Sequence, residues 1–268
     1  LKDRYAVTRQ WFSVDSAGKE DPEWKSLEGV VHEGQRLSVL QVQPHNRKIR
    51  RGALQGNRFQ LLLRDLEGDN SDVEARLTQI QQHGVPNYFG EQRFGRGGGN
   101  VDKGLEMFRR EYRPRSRHER GMLLSAVRSE IFNRVCAARI EQGSWDQALL
   151  GDIFALDRSR ASFQSEEIDE EILRRIAEHD IHPSGPLWGR GDLGTGHEVA
   201  QLEQTIVTEL EELRLGLEQA GLEQDRRALR LVPQEMRWEW VEPSQLQLNF
   251  WLPAGSYATV ILRELLDY

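Results

Sequence analysis

A chain of 268 residues and 31.0 kDa holds one large domain or two modest ones, and 38% hydrophobic with 29% charged residues is a globular profile. No apolar run approaches the roughly 20 residues a membrane-spanning helix needs, and no secretory leader pattern is visible in the first residues. A single cysteine, Cys136, excludes an internal disulfide framework, fits a reducing cytoplasm, and is expected to be a buried inert thiol.

The formal charge of −7 argues against a nucleic-acid partner as a sum, but its distribution does not. Between Pro44 and Arg64 stand Arg47, Lys48, Arg50, Arg51, Arg58 and Arg64 with no acid, and 109–120 holds six arginines against two glutamates. Acids gather in 165–180 and 198–225, which read as solvated helix faces.

In chain order, residues 1–10 set one carboxylate, Asp3, among Lys2, Arg4 and Arg9, ahead of a β-like run. Fixed positive charge keeps such a carboxylate ionised at neutral pH, as a nucleophile or base acting on an anionic substrate requires; the same pattern also suits a surface ion pair. Strands are expected at 6–14, 37–43 and 58–64, with a polar loop at 15–22. In the third, Phe59, Leu61 and Leu63 share one face and Arg58, Gln60 and Arg64 the other, so the Phe59 ring lines either a cleft or the core.

Ser71-Asp72-Val73-Glu74 has capping-box spacing, and Val73, Leu77 and Ile80 make a helical stripe that Gly84 and Pro86 stop. The aromatic and glycine-rich stretch 87–100 reads as a loop without the lysine and hydroxyl pattern of a P-loop. Leu123, Val127, Ile131, Val135 and Ala138 define an amphipathic helix, with Arg128, Arg134 and Arg139 on its other faces. Further helices are expected at 165–179 and 199–220, the latter capped by Gly221, with 183–196 as an irregular connection around Trp188.

Period two returns from Met236, through a turn at Glu242-Pro243-Ser244, to Leu252, which predicts a hairpin. A last helix follows with Ser256 as N-cap. The layout is β-rich at both ends and helical in the middle, which predicts an α+β fold with a helical insertion in a sheet domain. His179 and His182 are expected to face solvent near a helix end, and no cysteine pair or histidine cluster has metal-ligand spacing. No nucleophile elbow or Rossmann fingerprint is present, leaving cofactor-free chemistry.

Lys2-Asp3-Arg4-Tyr5-Ala6-Val7-Thr8-Arg9-Gln10-Trp11 resembles the signature segment of the TruD family of tRNA pseudouridine synthases. Four more stretches match the same family in the same order. They are Gly52-Ala53-Leu54-Gln55-Gly56-Asn57-Arg58-Phe59, the run 86–95 (P-N-Y-F-G-E-Q-R-F-G), the run 124–133 (L-S-A-V-R-S-E-I-F-N) and the run 251–259 (W-L-P-A-G-S-Y-A-T).

The resemblance implies a pseudouridine-synthase-type catalytic domain with a mixed or antiparallel sheet, formed by 1–82 and 232–268 and interrupted by a helix-rich insertion at 83–231. The active site is then expected in the cleft between the two. It implies a catalytic Asp3, a Phe59 ring stacking on an extruded uridine, and a polar contact from Asn57. Lys2 and Arg93 are expected to bind substrate, while Asn87 and Arg93 equally suit bracing the domain junction. The partner implied is tRNA, at uridine 13 of the D arm, with no cofactor, metal or membrane; oligomeric state is not legible, a monomer being the default.

Family members carry a further segment ahead of the aspartate motif, with a basic active-site residue, and this chain starts at Leu1 without it. Two other readings stand beside the isomerase: a non-catalytic RNA-binding protein using the basic stretches, and an RNA N-glycosidase using the same carboxylate.

Overall fold

The computed structural model describes residues 6–266 except 17, 19, 30, 33, 34, 51 and 160, in two units, Leu1–Gln55 and Gly56–Tyr268. In the first unit the regular structure among the described residues is a 3-10 turn at Trp24–Leu27 and a hairpin of β1 (Val31–His32) and β2 (Gln35–Arg36). The strands expected at 6–14 and 37–43 do not form, and Val7, Trp11, Phe12, Val14, Leu37, Leu40 and Val42 are exposed. Aromatic and β-branched side chains favour a strand only where a neighbour supplies a ladder and a covered face, and these stretches have no ladder among the described residues.

The second unit opens with β3 (Gly56–Leu63), α1 (Asn70–His83) and β4 (Val85–Pro86). Next come α2 (Asn100–Phe108), α3 (Arg117–Glu141), β5 (Ile153–Leu156), β6 (Ser162–Gln164), α4 (Glu170–Ala177) and β7 (Ile181–Leu187). It closes with α5 (His197–Glu209), α6 (Glu211–Gln219), β8 (Asp225–Ala228), β9 (Arg230–Leu231), β10 (Gln234–Glu242), β11 (Gln245–Pro253) and α7 (Ala258–Leu265).

The fold is α+β with antiparallel sheets, as expected. β11 sits between β10 and β3, in a register that sets Phe250 opposite Phe59 and Leu252 opposite Asn57. Leu246, Leu248, Phe250 and Leu252 alternate inward and pack with Leu77 and Ile80 of α1 and Val260, Ile261 and Leu265 of α7. Strands on either side of the helical middle thus share one core. The second sheet runs β6-β5-β7-β8, and α3 crosses it, its Phe132 reaching Leu229 while its Val127 and Ile131 meet Leu213 and Leu217 of α6.

Several elements differ from expectation. The N-cap of α1 is Asp69, whose carboxylate accepts from Ser71 N at 2.8 Å, so the helix starts two residues before the capping-box position. Gly84 ends it at φ 75°, donating to Ile80 O. Helix α2 rises from the glycine run and lies on α3 because Gly104 has no side chain: a Cβ there meets Val127 Cγ2 at 2.4 Å. The helix expected over 199–220 is two, broken at Leu210 (φ −106°, ψ 35°). The last helix is capped by Tyr257, one residue beyond Ser256, with no side-chain bond.

Part of the stretch expected as an irregular connection is β7, a strand buried from Ile181 to Pro186 despite two prolines. Arg226, reaching from β8, donates to Ser184 O and Oγ and so adds bonds where Pro183 and Pro186 have no N–H. His182 lies in that strand, not in solvent. It is 4% exposed, its Nδ1 accepts from Arg230 Nε at 3.0 Å, and its Nε2 is 3.5 Å from Asp157 Oδ1. Arg139 is likewise interior, held by both oxygens of Asp152 at 2.8 and 3.0 Å and by Ser144 O.

Candidate active site and junction

Alternation along β3 puts Asn57 and Phe59 on the same face, with Leu61 and Leu63. The Phe59 ring is half-buried and tilts against Phe250 with centroids 5.5 Å apart, so it belongs to the edge of the core and keeps a partly open side. Gly56, one residue before Asn57, lets β11 close in: a Cβ at that position meets the Trp251 ring at 2.2 Å. Asp3 and Lys2 lie outside the described residues.

Beyond Pro253, β11 turns through Gly255 (φ 88°) and reaches Tyr257, where it meets the segment 87–94. Asn87 is buried, donates through Nδ2 to Ala228 O at 2.8 Å, and accepts at Oδ1 from Arg227 Nη2 at 2.6 Å. Phe89 is clamped by one side chain, since its N–H donates to Asn133 Oδ1 (2.9 Å) while Asn133 Nδ2 donates to Phe89 O (3.1 Å). Its ring stands edge-on to Phe132 at 5.4 Å and Tyr257 at 6.4 Å.

Two guanidinium groups bracket that ring. Arg227 lies 4.2 Å and Arg93 5.2 Å from the Phe89 centroid. Arg93 commits Nε to Tyr257 Oη at 3.0 Å and Nη1 to Ser125 Oγ at 2.7 Å. Arg227 gives Nε to Asn87 O and Nη1 to Gly255 O. Neither forms an ion pair with a carboxylate among the described residues. Burial pushes Arg227 down to about 10.

Three of the family-like segments meet here: 86–95 gives Asn87, Phe89 and Arg93; 124–133 gives Ser125, Phe132 and Asn133; 251–259 gives Gly255 and Tyr257. The last also carries Trp251 and Leu252, which pair with Arg58 and Asn57 of β3. One strand therefore links the Asn57–Phe59 face to the arginine-bracketed ring. Arg227 belongs to no quoted segment and was missed; a pair of arginines in a short strand carries no local signal of burial. Ser125, Asn133 and Tyr257 stood inside quoted segments, where only the resemblance marked them.

No group of three or more His, Cys, Asp or Glu side chains among the described residues is arranged to hold a metal ion, and no helix among them is long and apolar enough to cross a membrane. Cys136 is buried as expected, and burial pushes its thiol up to about 12.

The model of the family described as tRNA pseudouridine synthase D (TruD) matches residues 1–115 and 116–265. The chain belongs to the TruD family. Among relatives named tRNA pseudouridine synthase D, that of Methylococcus capsulatus is 48% identical over 268 residues, covering 100% of this chain and 74% of that protein. The one from Nitrosococcus oceani is 48% identical over 265 residues, covering 98% and 73%. In fold, the chain is similar to a crystal structure from Methanosarcina mazei assigned to TruD, with a TM-score of 0.63 at 21% identity, over 91% of this chain and 76% of that one. Pseudouridine synthases are isomerases, and this member of the TruD family is an enzyme of that class.

Proposed function

We propose that the protein isomerises a uridine of tRNA to pseudouridine, at position 13 of the D arm, in the cytoplasm and without a cofactor. Family membership carries this reading; the shared face of Asn57 and Phe59, and its pairing with β11, the strand that runs on to the junction around Phe89, support it. In the reaction the bond from uracil N1 to ribose C1′ breaks, the base turns, and C5 joins C1′. A proton leaves C5 and N1 gains one, so the composition is unchanged.

The target base lies within folded RNA and has to be extruded. The half-open Phe59 ring is then its stacking platform, a contact of about 1–3 kcal/mol that tolerates in-plane rotation, and Asn57 holds a polar edge of the same base. Asp3 supplies the carboxylate that acts on the nucleotide, with Lys2 beside it for the phosphate. Arg93, oriented by Tyr257 and Ser125, contributes fixed positive charge for the RNA. The catalytic domain in this reading is 1–82 with 232–268, and 83–231 is the insertion.

The test is nucleoside analysis of a tRNA transcript digested after incubation with the protein. Pseudouridine at position 13 is expected, whereas free uracil indicates an N-glycosidase and an unaltered transcript a non-catalytic binder. Asp3→Asn is expected to lower the rate by at least about 10³-fold with tRNA affinity retained; a variant as fast as its parent removes Asp3 from the mechanism.

A further inference from the structure

The turn between α2 and α3 sets five arginines, Arg110, Arg113, Arg115, Arg117 and Arg120, against two glutamates over residues 110–120. All five are exposed, and none forms an ion pair within 4.0 Å among the described residues. The segment is nonetheless ordered by bonds of its own. Glu111 N and Tyr112 N both donate to Glu106 O, at 2.8 and 3.1 Å, and Ser116 Oγ accepts from Glu119 N at 3.1 Å to start α3.

Glu119 decides the charge. Its two oxygens take Tyr112 Oη and the backbone N–H of Arg115, so the carboxylate braces the turn and leaves the guanidinium groups around it unpaired. Arg117 and Arg120 also sit in the first turn of a 25-residue helix, the end where the backbone dipole already repels cations. Folding alone gives no reason for this arrangement, since each like charge at that position opposes the helix. An anion laid across the turn removes the penalty.

Arginines on some other surfaces are answered by carboxylates. Arg174 of α4 is held by Glu171 and Glu178, at 2.8 and 2.5 Å. The groove beside α2 and α6 sets Glu91, Asp102, Glu130, Glu209, Glu211 and Glu212 against one arginine, Arg134, a net acidic surface that disfavours phosphate.

We propose that residues 110–120 form a preorganised docking surface for the phosphate backbone of RNA. The inference rests on the tRNA reading above and assigns part of the binding to the α2–α3 turn, in residues that do no chemistry. Phosphate contacts of this kind position a nucleic acid without reading its sequence, and each released counterion steepens the dependence on salt.

The experiment uses the full chain and a tRNA transcript. Kd is measured by filter binding over a series of salt concentrations, and kcat and KM are measured separately. The triple variant R113Q/R115Q/R117Q is expected to weaken binding by about tenfold or more at low salt. It should also make the slope of log Kd against log salt shallower by about 2, with kcat at saturating RNA unchanged. The Arg-to-Lys triple variant keeps charge at the same positions and is expected to keep the slope; R174Q is expected to leave both Kd and slope at parental values.

Parental Kd and slope in the glutamine triple, or an equal loss in R174Q, overturns the proposal, as does a lysine triple that loses the slope. A thermal melt of the glutamine triple that matches the parent confines any loss to binding. If the parent makes no pseudouridine, the isomerase reading fails while the binding series still judges the turn.

Discussion

Two groups of arginines in this molecule do without carboxylates, and they do so for opposite reasons. Arg93 and Arg227 are drawn into the junction around Phe89, where an aromatic face, carbonyl oxygens, two hydroxyls and an amide satisfy them. The arginines of the α2–α3 turn face water; of the two glutamates among them, Glu119 is committed to the turn and Glu111 forms no ion pair among the described residues. A half-buried guanidinium held by neutral groups works as a bracket. One held by nothing at the surface is available to a polyanion, and the difference lies in what each side chain's surroundings offer, not in residue type.

The sharpest way to break the comparison is Arg227→Met, which keeps the stem and removes the five donors. Leaving Asn87 and Gly255 oxygens without their partner should cost about 3 kcal/mol of stability. By the scaling for a chain of this size that is a fall in Tm of about 6–12 °C. A melt unchanged from the parent puts Arg227 in the same class as the surface turn.

Asn133→Ala removes both bonds that clamp Phe89 and is expected to cost about 2 kcal/mol. Because that clamp holds the ring both arginines use, combining it with Arg227→Met should give less than the sum of the two. Strict additivity in urea midpoints argues that the ring and its brackets are independent.

A buried arginine sharpens the comparison with a smaller, pH-dependent effect. Arg230, which burial pushes down to about 10, donates to His182 Nδ1, so that nitrogen carries no proton and the imidazole is neutral. Burial first, and then the Arg230 charge, hold His182 below its ordinary value of 6.5 even though Asp157 pulls the other way. The unfolded chain therefore takes up a proton that the folded chain refuses. Stability is full above about pH 6.5, declines below it, and levels off once pH passes the folded value. Urea midpoints at pH 7.5 and 5.5 measure the drop, and His182→Gln should make it shallower, leaving the share of His179, which burial also holds below its ordinary value; an equally steep drop in that variant assigns the effect elsewhere.

Legibility followed the range of the physics. The hairpin of β10 and β11, the face shared by Phe59, Leu61 and Leu63, and the stripe of α3 were visible because one-sided burial writes a period of two or 3.6 into neighbouring residues. Failures came where a distant partner overrides a local preference. The strands expected at 6–14 and 37–43 have the right composition and no ladder among the described residues. β7 has the wrong composition and is buried between two neighbours, and α5 and α6 share one stripe yet break at Leu210.

The candidate site divides the same way. The amino-acid sequence by itself determined the α+β class, the polarised charge and, through five collinear segments, the family. Those are properties of residue order and type, which survive without knowing who touches whom. Only the tertiary structure decided that Arg227 brackets Phe89, that His182 is an interior neutral imidazole, and that Glu119 is tied up within its turn. Each of these depends on contacts between groups the chain brings together, or on how a single carboxylate divides its two oxygens, and neither is written in local sequence.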